Sequence, residues 1–467
     1  MKLAKKLLAL GLTVVMAVGV CACGSDKKDD SSTASDTKTS TATNGETRTI
    51  KIGTWYQHYY DSTMYDTSVN PNVTDEERDQ KMLDNVRAVE EKYNVKIEFV
   101  NLTWEGVQES ISTSILAGHP DCDIYEADLT FGIPAALSGY ATDLSQVLPA
   151  DADLLTDQNI FYQVNSGTDA VYLFAAQSAE VALSNVYALC FNKTMLDEAG
   201  LEDPRDLYDR GEWTWDKWRE YLAKLTVDSD GDGVTDVYGF GSRWDFLVYN
   251  LLMSNGTVIA GGPTENLSSS EVGEVLDFIY NLYNVDHYAR PWNADDFNDN
   301  QNAYYEGKVA CWITAAWIAA SNGNNDSLLD FETIWCPWPV GPSGNQETNK
   351  GKNASSGNAY FIPTGVEDPA FVYEVFEAWQ NWYQDDYDYR DSDLTWWEDA
   401  CGDERSYEVS QYIGGVQGGE FDLWNALGLD WDWSALLGVG DTPMTAAQFQ
   451  ETYKQAVQDA LDAYFGQ

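Results

Sequence analysis

Apolar and polar positions alternate from Arg48 to Trp55, a spacing that predicts a strand at the start of the folded region. Thr74-Asp75-Glu76-Glu77 has the form of a helix-capping box and is followed by Met82, Val86, Val89 and Tyr93 at helical intervals. Asn94 ends that helix, and Val95, Ile97 and Phe99 then alternate as a second strand. Val107, Ile111 and Ile115 mark another helix, stopped by Gly118 and Pro120. A short strand from Asp123 to Tyr125 delivers Asp128 to a loop. This alternation of strand and helix predicts a parallel α/β half. A second α/β series starts near Val186 to Phe191 and includes a helix from Thr214 to Leu225 with Trp218, Leu222 and Leu225 on one face. Strand-like segments return near Ile334 and at Tyr360-Phe361-Ile362-Pro363. Asp368-Pro369 then caps a helix carrying Phe371, Val375, Phe376 and Trp379, and Thr445 to Phe465 forms a final amphipathic helix.

The first residues follow a different pattern. Lys2, Lys5 and Lys6 precede an apolar run from Leu7 to Val20 and then Cys21-Ala22-Cys23-Gly24-Ser25. A charged start, a short apolar run and small residues at the cut describe a secretory signal rather than a spanning helix. Cys23 follows a small residue, as in a bacterial lipobox, so residues 1–22 are expected to be removed and Cys23 lipidated. Residues 23–48 are almost wholly polar and cannot bury enough surface to offset ordering, so a tether is expected there. The protein is then expected at the extracellular face of a bacterial membrane, held only by its acyl chains.

The rest of the chain is long for one core and predicts two domains. The full chain carries a formal net charge of −49, which makes nucleic acid and anionic membrane surfaces poor partners and leaves neutral solutes unpenalised. Beyond the leader stand Cys122, Cys190, Cys311, Cys336 and Cys401, an odd and widely spaced set with no Cys-x-x-Cys pair. They read as buried thiols rather than a disulfide framework or zinc site.

Five stretches, in order, carry a resemblance. Ile50-Lys51-Ile52-Gly53-Thr54-Trp55 is similar to the first strand of extracellular solute-binding proteins of the sugar-binding class, family 1, the class of maltose-binding protein. Glu90-Glu91-Lys92-Tyr93-Asn94-Val95-Lys96-Ile97 resembles that family's helix-to-strand passage, and Ala117-Gly118-His119-Pro120-Asp121-Cys122-Asp123-Ile124 its "A-x-G-x-x-P-D-I" segment. Phe191-Asn192-Lys193 with Thr214-Trp215-Asp216 resembles its "Y-N-K … T-W-E" pair. The run from Tyr305-Glu306-Gly307 to Ala316-Trp317 resembles its "F-x-x-G-x-x-A-M-x-x-x-G-x-W" segment. The last hundred residues match poorly. The resemblance implies an α/β, two-lobed fold with crossing hinge strands: first lobe 49–182, second lobe 183–332, a return to the first over 333–365, and helical completion of the second over 366–467. It also implies a monomer that closes on a carbohydrate and delivers it to an ABC-type permease whose ATPase is a separate chain.

Within that resemblance Trp317 aligns with the family's cleft tryptophan and Asp128 with the carboxylate that faces the sugar. Trp55 and Tyr56 leave the first strand where the family's first loop lines the cleft, and Trp244 falls among its second-lobe contacts. Indole and phenol faces cover sugar C–H patches, and carboxylates accept from hydroxyls. Trp335, Trp338, Trp379 and Trp382 read as packing residues.

Asp228, Asp230, Asp232, Val234 and Asp236 occupy positions 1, 3, 5, 7 and 9 of a loop resembling that of an EF-hand, with Gly233 at 6. Position 12 is Gly239 rather than Glu, so a structural calcium and a solvated acidic turn both remain readings. No catalytic residue and no required cofactor are expected. A lipid-anchored glycoside hydrolase or a glycan-binding surface protein without a transporter remain the alternatives, because paired carboxylates have no specificity among 76 acidic residues.

Overall fold

The computed structural model describes residues 47–55, 76–156, 161–162, 169–175, 187–293, 296, 298–315, 318, 329–346, 358–391, 401–414, 422–439 and 442–465. Cys23, Tyr56, Thr74, Trp317 and the signal and tether segments lie outside the described residues.

The first sheet grows from β1 (Arg48–Thr54), whose Ile50 and Ile52 are buried while Lys51 faces solvent. Helix α1 (Glu76–Tyr93) has Glu76, Glu77 and Asp79 in its first turn and Lys92 in its last, matching its dipole at both ends. It buries Leu83, Val86 and Val89; Met82 is rotated to the half-buried flank of that stripe. Asn94 stops it at φ 51°, a conformation asparagine tolerates at a helix end. Strand β2 (Val95–Asn101) then pairs parallel to β1. Helix α2 (Trp104–Ser110) continues through a π-turn (Ile111–Ile115) and leads to β3 (Ile124–Asp128), also parallel to β1. Gly53 is needed where these segments meet: a Cβ there would lie 2.8 Å from the Cys122 sulfur and 2.9 Å from Leu102 Cδ1. Helix α3 (Leu129–Leu137) starts directly from β3.

Two short strands, β4 (Phe161–Tyr162) and β5 (Leu173–Phe174), extend the sheet. The second sheet contains β6 (Tyr187–Asn192), β7 (Tyr238–Phe240), β8 (Val309–Ala315) and β9 (Thr333–Cys336), ordered β7-β8-β6-β9. Every residue of β6 and β8 is buried, as expected of central strands covered on both faces. Strand β10 (Asn358–Phe361) returns to the first sheet antiparallel to β3, giving the order β2-β1-β3-β10-β5-β4. The chain therefore builds two α/β lobes and crosses between them.

The lobe boundaries differ from the sequence expectation in two places. Strand β9, expected in the returning first-lobe segment, pairs with β6 in the second sheet. The helix Pro369–Gln380, expected in the second lobe, covers the first: Trp379 packs on Phe99 at 5.4 Å, and Phe376 on Phe174 at 4.8 Å. Its apolar stripe suits either sheet, and the strand before it decides which one it reaches. The helix Glu404–Gly414 packs against β9, and Ala446–Phe465 against the helix Ser270–Tyr280 and against α3. Trp335, Trp338, Trp379 and Trp382 are buried, and all five cysteines after the leader are buried free thiols. Among the described residues no helix is long and apolar enough to cross a membrane.

Candidate functional site

Ligands of open α/β sheets bind outside the carboxyl ends of their strands. In the first lobe those ends belong to β1, β2 and β3. Trp55 follows β1 and is half-buried. Trp104, three residues beyond β2, meets it edge-on at 5.5 Å, and Phe131 of α3 lies 4.8 Å from Trp104. Asp128 closes β3 and caps α3, its Oδ1 accepting from the Thr130 amide at 2.8 Å. The expected loop after β3 is thus a helix start, and one carboxylate oxygen of Asp128 is committed to the cap.

In the second lobe, the carboxyl end of β7 leads through Ser242 and Arg243 into the helix Trp244–Ser254. Arg243 pairs with Asp245 through Nη2–Oδ2 at 2.6 Å and Nε–Oδ1 at 3.0 Å, and its guanidinium lies 4.2 Å from the Phe246 ring centre. Trp244 is half-buried and stacks on Trp433 at 5.4 Å with the planes 27° apart. Trp433 belongs to a block with Trp424, Trp431 and Phe449, of which Trp424 and Phe449 are fully buried.

The two halves meet where α3 packs on the Leu423–Ala426 turn, whose Asn425 reaches Tyr249. Its hydroxyl accepts from Asn425 Nδ2, and its phenol is pushed well above the usual tyrosine range by burial, by Asp245 of its own helix and by Asp128 of the first lobe. Helix α3 lies against the segment Leu423–Ala426 on the same side. The structure therefore groups Trp55 with Trp104 and Phe131, and sets α3, capped by Asp128, against the turn that holds Asn425. Tyr56 and Trp317 lie outside the described residues.

Sequence reasoning missed Trp104, Tyr249 and the C-terminal tryptophans. It also missed Asp422, which is buried and pins that block: its carboxylate accepts from the amides of Ile259 at 2.7 Å, Ala260 at 2.9 Å and Trp424 at 3.2 Å. The signal available was Asp422 just before Leu423-Trp424, an Asx-turn pattern.

The acidic loop forms a tight turn with Gly231 and Gly233 at φ 75° and 86°. Carboxylate oxygens of Asp228, Asp230 and Asp236 lie within 4.8 Å of one another and are exposed. Asp228, Asp230, Asp232 and Asp236 each accept from a loop amide, and Asp232 stands outside the group of three. Gly239 cannot be the missing glutamate, because a Cβ there would lie 2.5 Å from the Leu222 carbonyl oxygen.

Two α/β lobes, each with its own sheet and with the chain crossing between them, are the architecture of a two-lobed periplasmic binding protein. The family "Bacterial extracellular solute-binding protein" matches residues 70–382, and the chain belongs to it. No curated protein matches the chain in sequence. Among solved structures, the sugar-binding protein MalE from Xanthomonas citri aligns over 90% of this chain and 98% of its own, with a TM-score of 0.60 and 13% identity. The GacH receptor of Streptomyces glaucescens, solved unliganded and with acarbose, aligns over 90% of this chain and 99% of its own, at 0.57 and 14%. The maltose/maltodextrin-binding domain MalE from Bdellovibrio bacteriovorus, bound to maltotriose, aligns over 90% and 100%, at 0.55 and 16%. At these identities the likeness is one of fold.

Burial raises the Asp422 carboxyl to about 6 although three amides pull it down. A carboxyl raised in the folded state binds its proton more tightly there, so its stabilising contribution is full below about pH 4 and is lost as pH rises through 6. Thermal melts between pH 4 and 6 should show a shallower loss with rising pH in Asp422→Asn than in the wild type; parallel profiles would contradict this.

Proposed function

We propose that this chain is an exported, lipid-anchored receptor that captures carbohydrate between its lobes and presents it to an ABC-type permease driven by a separate ATPase chain. The observation that carries the reading is the packing of α3, capped by Asp128, against the Leu423–Ala426 turn, whose Asn425 reaches Tyr249 of the Trp244 helix, so that each lobe brings polar groups and rings to the region where they meet. Ligand drives closure only through tighter binding to the closed form, and a site made from both lobes meets that condition. The fold likeness to sugar-binding proteins supports carbohydrate as the cargo, and the lipobox at Cys23 supports the anchor. Rings stack on Trp244 and hydroxyls donate to the Asp128 carboxylate. Trp317 and Tyr56 are assigned to the same region on the family resemblance alone.

Calorimetry of the soluble form, residues 24–467, against maltotriose, cellotriose and xylotriose tests this. Saturable binding of at least one, without release of reducing sugar, is expected. Steady release of reducing sugar would replace the receptor with a glycoside hydrolase. In the same reading Asp228, Asp230 and Asp236 hold a structural calcium through hard oxygen donors and stiffen the second lobe. Calcium should then raise the melting temperature, and Asp230→Ala should abolish the rise; no shift with calcium in the wild type would retire the ion.

A further inference from the structure

The segment joining β2 to α2 carries backbone strain. Thr103 sits at φ 65° and ψ 167°, a region open to glycine and costly for a β-branched residue. The structure pins it there from both sides. Its amide donates to Asn101 Oδ1 at 3.1 Å, and its hydroxyl accepts from the Gly106 amide at 3.3 Å. The preceding residue, Leu102, donates its amide to the Thr54 carbonyl at 2.8 Å and packs where Gly53 has no side chain. What this backbone presents is Trp104. Its indole is 44% exposed, while Trp213, Trp218 and Trp424 are fully buried. It is steadied by Trp55 at 5.5 Å and Phe131 at 4.8 Å, three residues along α3 from the Asp128 cap.

We infer that Trp104 is the first lobe's stacking residue, receiving the C–H face of a pyranose ring while Asp128 takes its hydroxyls, with Thr103 as the positioning residue that fixes the indole; the inference rests on the carbohydrate reading above. Exposed indole on a constrained backbone is pre-organised, so little ordering opposes the stack. An open-chain hexitol has comparable hydroxyls and no flat C–H face, so it gains nothing from Trp104.

The test uses the 24–467 protein with maltotriose, cellotriose and xylotriose as probes and sorbitol as the ring-free control. For a trisaccharide that binds the wild type, Trp104→Ala should weaken affinity at least tenfold and Trp104→Phe should recover most of the loss, with melting temperatures close to wild type because the indole is half outside the core. Hydroxyl-radical footprinting of the wild type reads the same contact without a variant: oxidation of Trp104 should fall several-fold with the trisaccharide and stay constant with sorbitol. Unchanged affinity in Trp104→Ala, or unchanged oxidation under saturating trisaccharide, overturns the assignment and leaves the receptor reading standing. Failure of the wild type to bind any of the three trisaccharides overturns the carbohydrate reading and this assignment with it.

Discussion

The structure depends on where α3 is held. This short helix buries Leu129, Gly132, Ile133, Ala135 and Ala136. It sits on the first sheet with Gly132 over Leu173, where a Cβ would make an ordinary van der Waals contact at 3.4 Å. Its other side meets the Leu423–Ala426 turn of the second lobe. The helix is therefore packed between the lobes, with Asp128 capping its N-terminus. Close packing of these small residues holds the helix in place. Every property attributed to the site follows from this placement.

On the second-lobe side the corresponding support comes from the C-terminal block. Trp424, Trp431 and Trp433 pack with Phe449 and Tyr453. Asp422 ties the block to the Ile259-Ala260 loop, and Asn425 ties it to Tyr249. These residues lie beyond the family-matched region, 70–382. The part of the site within the family-matched region thus leans on a wall built from the C-terminal segment. Variation in such a wall can change the cargo while the scaffold stays constant.

Much of the scaffold was legible because its signals are local. The alternation Ile50/Ile52 and Val95/Ile97 declared two strands, Asn94 declared a helix end, and Asp368-Pro369 declared a cap that the structure contains. Asp128 was legible as a residue but its setting was not, because nothing in Leu129-Thr130-Phe131 says that a helix starts without an intervening loop. The strand Thr333–Cys336 and the helix Pro369–Gln380 were given to the wrong lobes for a different reason. Partner choice is a long-range property, and an apolar stripe fits either sheet. Trp104 was missed because a lone tryptophan at a helix start has no periodicity to distinguish it from a core residue; its exposure and the strained Thr103 before it are visible only in three dimensions. The acidic loop shows the converse. Its spacing was plain in sequence, yet the reason Gly239 replaces a glutamate is the backbone of Leu222 pressed against it.

The central claim is that both lobes grip one ligand and move together to do so. Small-angle X-ray scattering of the 24–467 protein, with and without a saturating trisaccharide that it binds, measures this directly. The account predicts a smaller radius of gyration and a shorter maximum dimension in the liganded protein. Identical scattering curves at proven saturation would contradict it.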